Sequence, residues 1–391
     1  MDLFGESLVD PDSDLEETED EPPVSDVVDT RSESLVKPSS MTFCLGHGSQ
    51  EQLLLDLFAK DALPHALIFS GPKGIGKCTF AFRLARYLLK YGKISVSEDS
   101  LFGGEEISFP KNMDIDPNDP VFSRVASGGH GDLLYIERSL DTLKGKRKNV
   151  IDAETIRRIS PYLRKTSAEG GWRVVIIDDA DKMNNTAQNA ILKILEEPPK
   201  KVAIILVTHR IGELIPTIRS RSRLIPFQVL QKDIIRDLLA RQGFVYSPTD
   251  MNLIIAFSEG SIGQALYFAE NDGPELFSEI LGLFETTPDW SWQAIHRFSE
   301  TFGGPGSEKR YELFTQLMVW VFRTLLFMQA RGSQNFPDFF KNSGLERFYQ
   351  KASLDSLLAI SEALQGHFQR TEFSNLDKRE TVRSAFLVIN P

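Results

Sequence analysis

Gly71-Pro-Lys-Gly-Ile-Gly-Lys77 is the segment of this 391-residue chain with the clearest chemistry. Its three glycines, Gly71, Gly74 and Gly76, let a backbone curl until several N–H groups face one point, and Lys77 adds a positive charge beside them. That combination cradles phosphate oxygens. A hydroxyl ordinarily follows such a lysine and reaches Mg²⁺, but here the position is Cys78, whose sulfur is a poor partner for a hard cation. Thr79 comes one residue late. On a helix it points about 100° away from Cys78, so it cannot supply that hydroxyl without local rearrangement. The second acidic element is Ile176-Ile-Asp-Asp-Ala-Asp181. Asp178, at the end of an apolar run, is placed to reach a metal ion, and Asp179 takes the place of a base that polarises water. An aspartate there is one methylene shorter than a glutamate, and small displacements of a base cost orders of magnitude in rate. Fast hydrolysis is not expected. The competing reading takes Asp178, Asp179 and Asp181 as the start of a surface loop.

The elements that would hold these residues alternate. Ala66-Leu-Ile-Phe-Ser70 predicts a buried strand running into the glycine loop, and Thr79 to Leu89 a helix leaving it, the order phosphate binding requires. Ser49 to Phe58 has the spacing of a short amphipathic helix. Asp132-Leu-Leu-Tyr-Ile-Glu137, Trp172 to Asp178 and Val202-Ala-Ile-Ile-Leu-Val207 predict further strands. Between them lie a helix with Asp152 placed as its cap and a helix over Ala187 to Glu197, stopped by Pro198-Pro199. Alternating apolar strands and helices imply an α/β domain with a parallel sheet, covering residues 41–228. Residues 92–131, rich in Gly, Ser, Asp and Pro, predict a long insertion or loop. Beyond Gln231 strand signals vanish. Helical patterns predict a small helical domain over 229–272 and an all-helical unit over 273–391, whose longest helices are Tyr311 to Met328 and Ser353 to Phe368. No repeat of solenoid period occurs.

Composition bounds the setting. The chain is 41% hydrophobic and carries a net charge of -11, but the charge is unevenly spread. Residues 1–40 hold 13 acidic side chains against Arg31 and Lys37, leaving 42 acidic and 42 basic side chains for the remainder. Such acidic, Pro- and Ser-containing sequence cannot bury enough apolar area to offset its chain entropy, which predicts a disordered tail. It reads either as a solvated extension or as an arm for a basic surface. The two cysteines, Cys44 and Cys78, suit a reducing compartment. No signal pattern opens the chain and no apolar run reaches the ~18 residues of a membrane span, so a cytoplasmic protein is expected.

Two further segments make a resemblance specific. Asn189-Ala-Ile-Leu-Lys-Ile-Leu-Glu-Glu-Pro-Pro199 and Thr217-Ile-Arg-Ser-Arg-Ser222, with Leu63-Pro-His-Ala66 and Asn375-Leu-Asp-Lys-Arg379, resemble the signatures of clamp-loader subunits of the AAA+ class. The similarity is to the delta-prime family of bacterial DNA polymerase III and runs from about Gly46 to the C-terminus. It implies an AAA+ module, a helical lid and a helical collar that joins five subunits in a ring. Ser220-Arg221-Ser222 resembles the family's Ser-Arg-Cys signature, which makes Arg221 the implied arginine finger for a neighbour's ATP site; Ser222 departs from the pattern. Arg219, Arg221 and Arg223 also alternate as a solvated edge would. Thr208 ends its strand where the family places a sensor for the γ-phosphate, with His209 beside it expected to be structural. Gly263, in Gly260-Ser-Ile-Gly-Gln-Ala-Leu266, stands where motor subunits carry an arginine.

The resemblance implies delta and gamma/tau partners in a hetero-pentamer, indirect action on the β sliding clamp and primed DNA, and no membrane. Polymerase chemistry belongs to another subunit of such a holoenzyme. Some relatives carry a four-cysteine zinc module, but residues 92–170 have no cysteine, so no zinc is expected. Lys144, Lys146, Arg147 and Lys148, with Arg157, Arg158, Arg164 and Lys165, would face either DNA phosphates or solvent. Whether ATP and Mg²⁺ enter the chain's own pocket stays open, and little or no turnover is expected there. The alternative reading is an autonomous AAA+ ATPase of DNA repair or recombination, with Asp179 as base and Thr79 replacing Cys78.

Overall fold

The computed structural model describes residues 36–93, 109–141, 146–304, 306–332, 336–374 and 377–389. The acidic tail up to residue 35 lies outside them, as do Lys144 and the Asn375-Leu376 pair.

Five strands form one parallel sheet: β1 (Ala66–Ser70), β2 (Leu133–Ile136), β5 (Arg173–Ile177), β6 (Val202–Thr208) and β7 (Arg223–Pro226), ordered β2-β5-β6-β1-β7. A separate hairpin pairs β3 (Leu140–Asp141) with β4 (Lys146–Arg147). Because strand side chains alternate, each central strand feeds two cores. Leu67, Phe69, Val174, Ile176, Ala203, Ile205 and Val207 join one cluster. Ala66, Ile68, Val175, Ile177, Val202, Ile204 and Leu206 join the other. The helix Lys77–Tyr91 seals the first face with Phe80, Leu84 and Leu88, all fully buried. The helix Asn185–Glu196 seals the second with Ala187, Ile191 and Leu195; Asn184 caps it by accepting from Ala187 N, and Pro198 ends it.

Register places the C-terminal ends of β1 and β6 together, Ser70 opposite Thr208. The chain leaves these neighbours in different directions, toward the β2 edge and toward β7, and the crevice at such a reversal is where parallel sheets bind ligands.

Two expectations change in detail. Of the loop expected over 92–131, residues 94–108 lie outside the described residues, and the remainder contains a helix, Pro120–Ala126, capped by Asp119 with Pro at its first position. Its Val121, Phe122 and Val125 are buried, as are Met113 and Ile115, so this stretch covers the core. Seven residues are too few to show periodicity, which is why sequence reading missed it. The helix expected after Asp152 is split into Ala153–Arg157 and Ile159–Arg164, with Asp152 capping through Thr155 N.

From Leu230 to Ile389 one continuous apolar cluster fills a helical assembly. Gln264 and Gln316 bond across it at 2.8 Å, and Tyr267 OH donates to Glu312 at 3.0 Å. The helix Glu308–Ala330 is long and apolar enough, by length and composition, to cross a membrane, although charged residues interrupt its apolar run. Its Leu313, Phe314, Leu317, Met318, Phe322 and Leu325 are buried in the helical core.

Candidate nucleotide pocket and the exposed arginine

The glycine loop has the expected shape. Gly74 (φ 75°) and Gly76 (φ 101°) adopt left-handed backbone, which only glycine takes at little cost. At Gly71 a Cβ would stand 2.3 Å from the Phe227 carbonyl oxygen, so that glycine permits close passage against the residue after β7. His47 bonds Ile75 O at 2.8 Å and meets Phe227 edge to face, pinning the loop from below.

Its lysine is already engaged. Lys77 Nζ donates to Gly71 O and Pro72 O, each at 2.6 Å, and lies 3.0 Å from His209 Nδ1. It is 3% exposed, and burial pulls its pKa down to about 8 against the attraction of Asp178, Asp181 and Asp179. Cys78, second in the helix, is half-buried with its Sγ 3.9 Å from Tyr135 OH. Thr79 follows, half-buried.

Asp178 and Asp179 are 2% and 6% exposed, so they do not begin a surface loop. Asp178 Oδ2 accepts from Tyr135 OH at 3.2 Å. Asp179 is in left-handed backbone (φ 53°) and divides its oxygens: Oδ1 accepts from His209 Nε2 at 2.8 Å, and Oδ2 pairs with Arg138 Nε at 3.0 Å. Asp181 Oδ1 accepts from Thr208 Oγ1 (2.9 Å) and His209 N (2.8 Å), fixing the ends of β5 and β6 to each other. Sequence reading found Lys77, Asp178, Asp179 and Thr208 but missed Tyr135 and Arg138. Their signal was only their place at and just after the end of a strand. His209, expected to be structural, is the bridge between Lys77 and Asp179.

These side chains do not fit a magnesium ion. Sulfur replaces the hydroxyl, and a phenol stands between Cys78 and Asp178. The helical half also touches the loop. Gly263 N, in the first turn of the helix Ile262–Glu270, donates to Gly74 O at 2.8 Å. A Cβ on Gly263 would meet Gly74 Cα at 3.1 Å, so any side chain there requires the two backbones to part by a few tenths of an ångström.

Arg221 lies elsewhere. It ends the short helix Pro216–Arg221, just before β7, whereas the glycine loop follows β1. The two strands are parallel with Leu67 opposite Arg223, so Arg221 sits at the opposite end of the sheet from the chain's own pocket, on the order of 15 Å away along the strands. Its side chain is 37% exposed, and the guanidinium pairs with Glu196 at 2.9 Å and donates to Thr217 O at 3.2 Å. Arg219 and Arg223 are exposed as well, and the Ser222 hydroxyl is buried without a hydrogen-bond partner among the described residues. Lys148, Arg157, Arg158, Arg164 and Lys165 are exposed too. At the N-terminal side, Arg86 is buried against Phe122 (4.3 Å) and donates to Ser39 O (3.1 Å) and Met41 O (2.8 Å), tying the chain before the first long helix to the loop's helix.

Among known families, the one described as DNA polymerase III, delta subunit, matches residues 110–231. DNA polymerase III subunit delta' of Bacillus subtilis (strain 168) is 28% identical over 320 residues, 80% of this chain and 88% of that one. Subunit delta' of Escherichia coli (strain K12) is 30% identical over 229 residues, 58% of this chain and 61% of that one. Subunit gamma/tau of Mycobacterium tuberculosis (strain ATCC 25618 / H37Rv) is 30% identical over 237 residues, 58% of this chain but 36% of the relative, so the chain spans about a third of gamma/tau. These matches make the chain similar to the delta' and gamma/tau subunits of bacterial DNA polymerase III, and so to clamp-loader proteins of the AAA+ class.

Proposed function

We propose that this chain serves as the delta' subunit of a clamp loader, a stator that lends Arg221 to the ATP site of an adjacent subunit while its own pocket does no fast chemistry. The carrying observation is the separation of the two. Arg221 is exposed at the end of the sheet away from the chain's own glycine loop, and Asp179, the residue in the base position, is held by both Arg138 and His209. A guanidinium so placed has no role in its own pocket and is free to neutralise charge on a phosphoryl group brought by a neighbour. Its bond to Glu196 is a surface ion pair, worth ~0–1 kcal/mol and readily exchanged for a phosphate. The other reading, an autonomous ATPase, needs an unencumbered base at Asp179 and a metal-binding hydroxyl, and neither is supported.

In this role residues 41–228 form the AAA+ module, 229–272 the lid and 273–391 the collar that meets delta and gamma/tau subunits in a hetero-pentamer. The assembly opens the β sliding clamp and places it on primed DNA in the cytoplasm. Reconstitution with Arg221→Ala tests the finger: hydrolysis at the site that receives Arg221 is expected to slow by on the order of 10³. Clamp-stimulated ATPase activity equal to wild type would remove the finger from the mechanism.

A further inference from the structure

We propose that His209 and Tyr135 decide whether this pocket admits a nucleoside polyphosphate, because each stands where part of one would bind. His209 bridges Lys77 Nζ (3.0 Å) and Asp179 Oδ1 (2.8 Å), linking the cradle's lysine to the acidic turn as a terminal phosphate group otherwise would. The ring can make both contacts in one tautomer, Nδ1 accepting from the ammonium while Nε2–H donates to the carboxylate. Tyr135 OH lies 3.9 Å from Cys78 Sγ and 3.2 Å from Asp178 Oδ2, between the two positions that would otherwise share a divalent cation. It is also 3.1 Å from Glu137 Oε2, so its single proton serves either carboxylate.

The two side chains therefore join the glycine loop and the helix after it to the ends of β2, β5 and β6. Two consequences follow from the same contacts. A polyphosphate must break the Lys77–His209 bond before it gains the lysine. And the loop, held in place from within, presents Gly74 O to Gly263 N at 2.8 Å, joining it to the helix Ile262–Glu270. Cys78 belongs to the same arrangement: a serine there would favour a cation over the phenol.

The test is an equilibrium titration of the full chain with fluorescent mant-ADP and mant-ATP, with and without Mg²⁺, for wild type, His209→Ala and Tyr135→Phe/Cys78→Ser. His209→Ala is expected to bind both nucleotides at least about 10-fold more tightly than wild type. Tyr135→Phe/Cys78→Ser should add a dependence of mant-ATP binding on Mg²⁺ that wild type lacks. Hydrogen exchange supplies a second readout: amides of residues 71–77 and 260–264 should exchange faster in His209→Ala. If that variant fails to fold, His209→Asn, which reaches Lys77 or Asp179 but not both, should tighten binding in the same direction. Wild-type affinity equal to that of His209→Ala, or no gain in either His209 variant, would overturn the assignment. The result is independent of Arg221.

Discussion

Replacing Lys77 by methionine should remove a rise of stability with pH that the wild-type chain shows above neutrality. The ammonium is 3% exposed, and burial lowers its pKa from 10.5 to about 8. At 1.36 kcal/mol per pKa unit the charged form is disfavoured in the fold by about 3 kcal/mol. Because the folded pKa lies below the unfolded one, the unfolded chain holds the extra proton between about pH 8 and 10.5. Stability must rise with pH across that window: the penalty is full below it and gone above it. Integrating from pH 7 to pH 9 gives wild type a gain of about 1.3 kcal/mol from this group. Cys44 works in the opposite sense, since burial raises its thiol from 9.0 to about 11. That contribution, about 0.4 kcal/mol by pH 9, is common to both proteins and cancels in the comparison. Urea unfolding followed by circular dichroism at the two pH values, for wild type and Lys77→Met, measures the difference. If both proteins respond to pH in parallel, within about 0.3 kcal/mol, Lys77 is not the buried ammonium described above and the reasoning fails.

Gly263→Ala should loosen the contact of the helix Ile262–Glu270 with the glycine loop, because its Cβ would stand 3.1 Å from Gly74 Cα and the two backbones must part by a few tenths of an ångström; a cost of about 1–3 kcal/mol is expected, read as faster hydrogen exchange in residues 71–77. Arg86→Met leaves the Ser39 and Met41 carbonyls without their donor, which should cost about 2–4 kcal/mol and expose residues 36–46 to limited proteolysis, where an unchanged digestion pattern would contradict the tether. Glu196→Gln should leave thermal unfolding within about 0.5 kcal/mol of wild type, since its pair with Arg221 is at the surface; a larger loss would mean that Arg221 is a structural strut.

Much of the fold was legible because it follows from local order and periodicity. Ala66–Ser70 reads as a buried strand at any glance, the glycines after it require a tight curl, and Pro198-Pro199 cannot continue a helix. The same holds for the chemistry lost at Cys78 and Asp179, where side-chain type alone withdraws a hydroxyl and shortens a base. The short helix Pro120–Ala126 was not legible, since its seven residues are held by an aspartate cap and by packing rather than by a pattern.

What sequence could not show is which distant groups meet. Tyr135, Arg138 and His209 come from the ends of β2 and β6, and only the strand order β2-β5-β6-β1-β7 brings them around Lys77, Asp178 and Asp179. The sequence by itself determined the glycine loop with its lysine and the residue types at Cys78 and Asp179, because those are properties of residue type and near spacing. Only the tertiary structure decided that the cradle is bridged by the protein's own side chains and that Arg221 lies at the far end of the sheet, because parallel pairing, not chain distance, sets which ends of strands lie together.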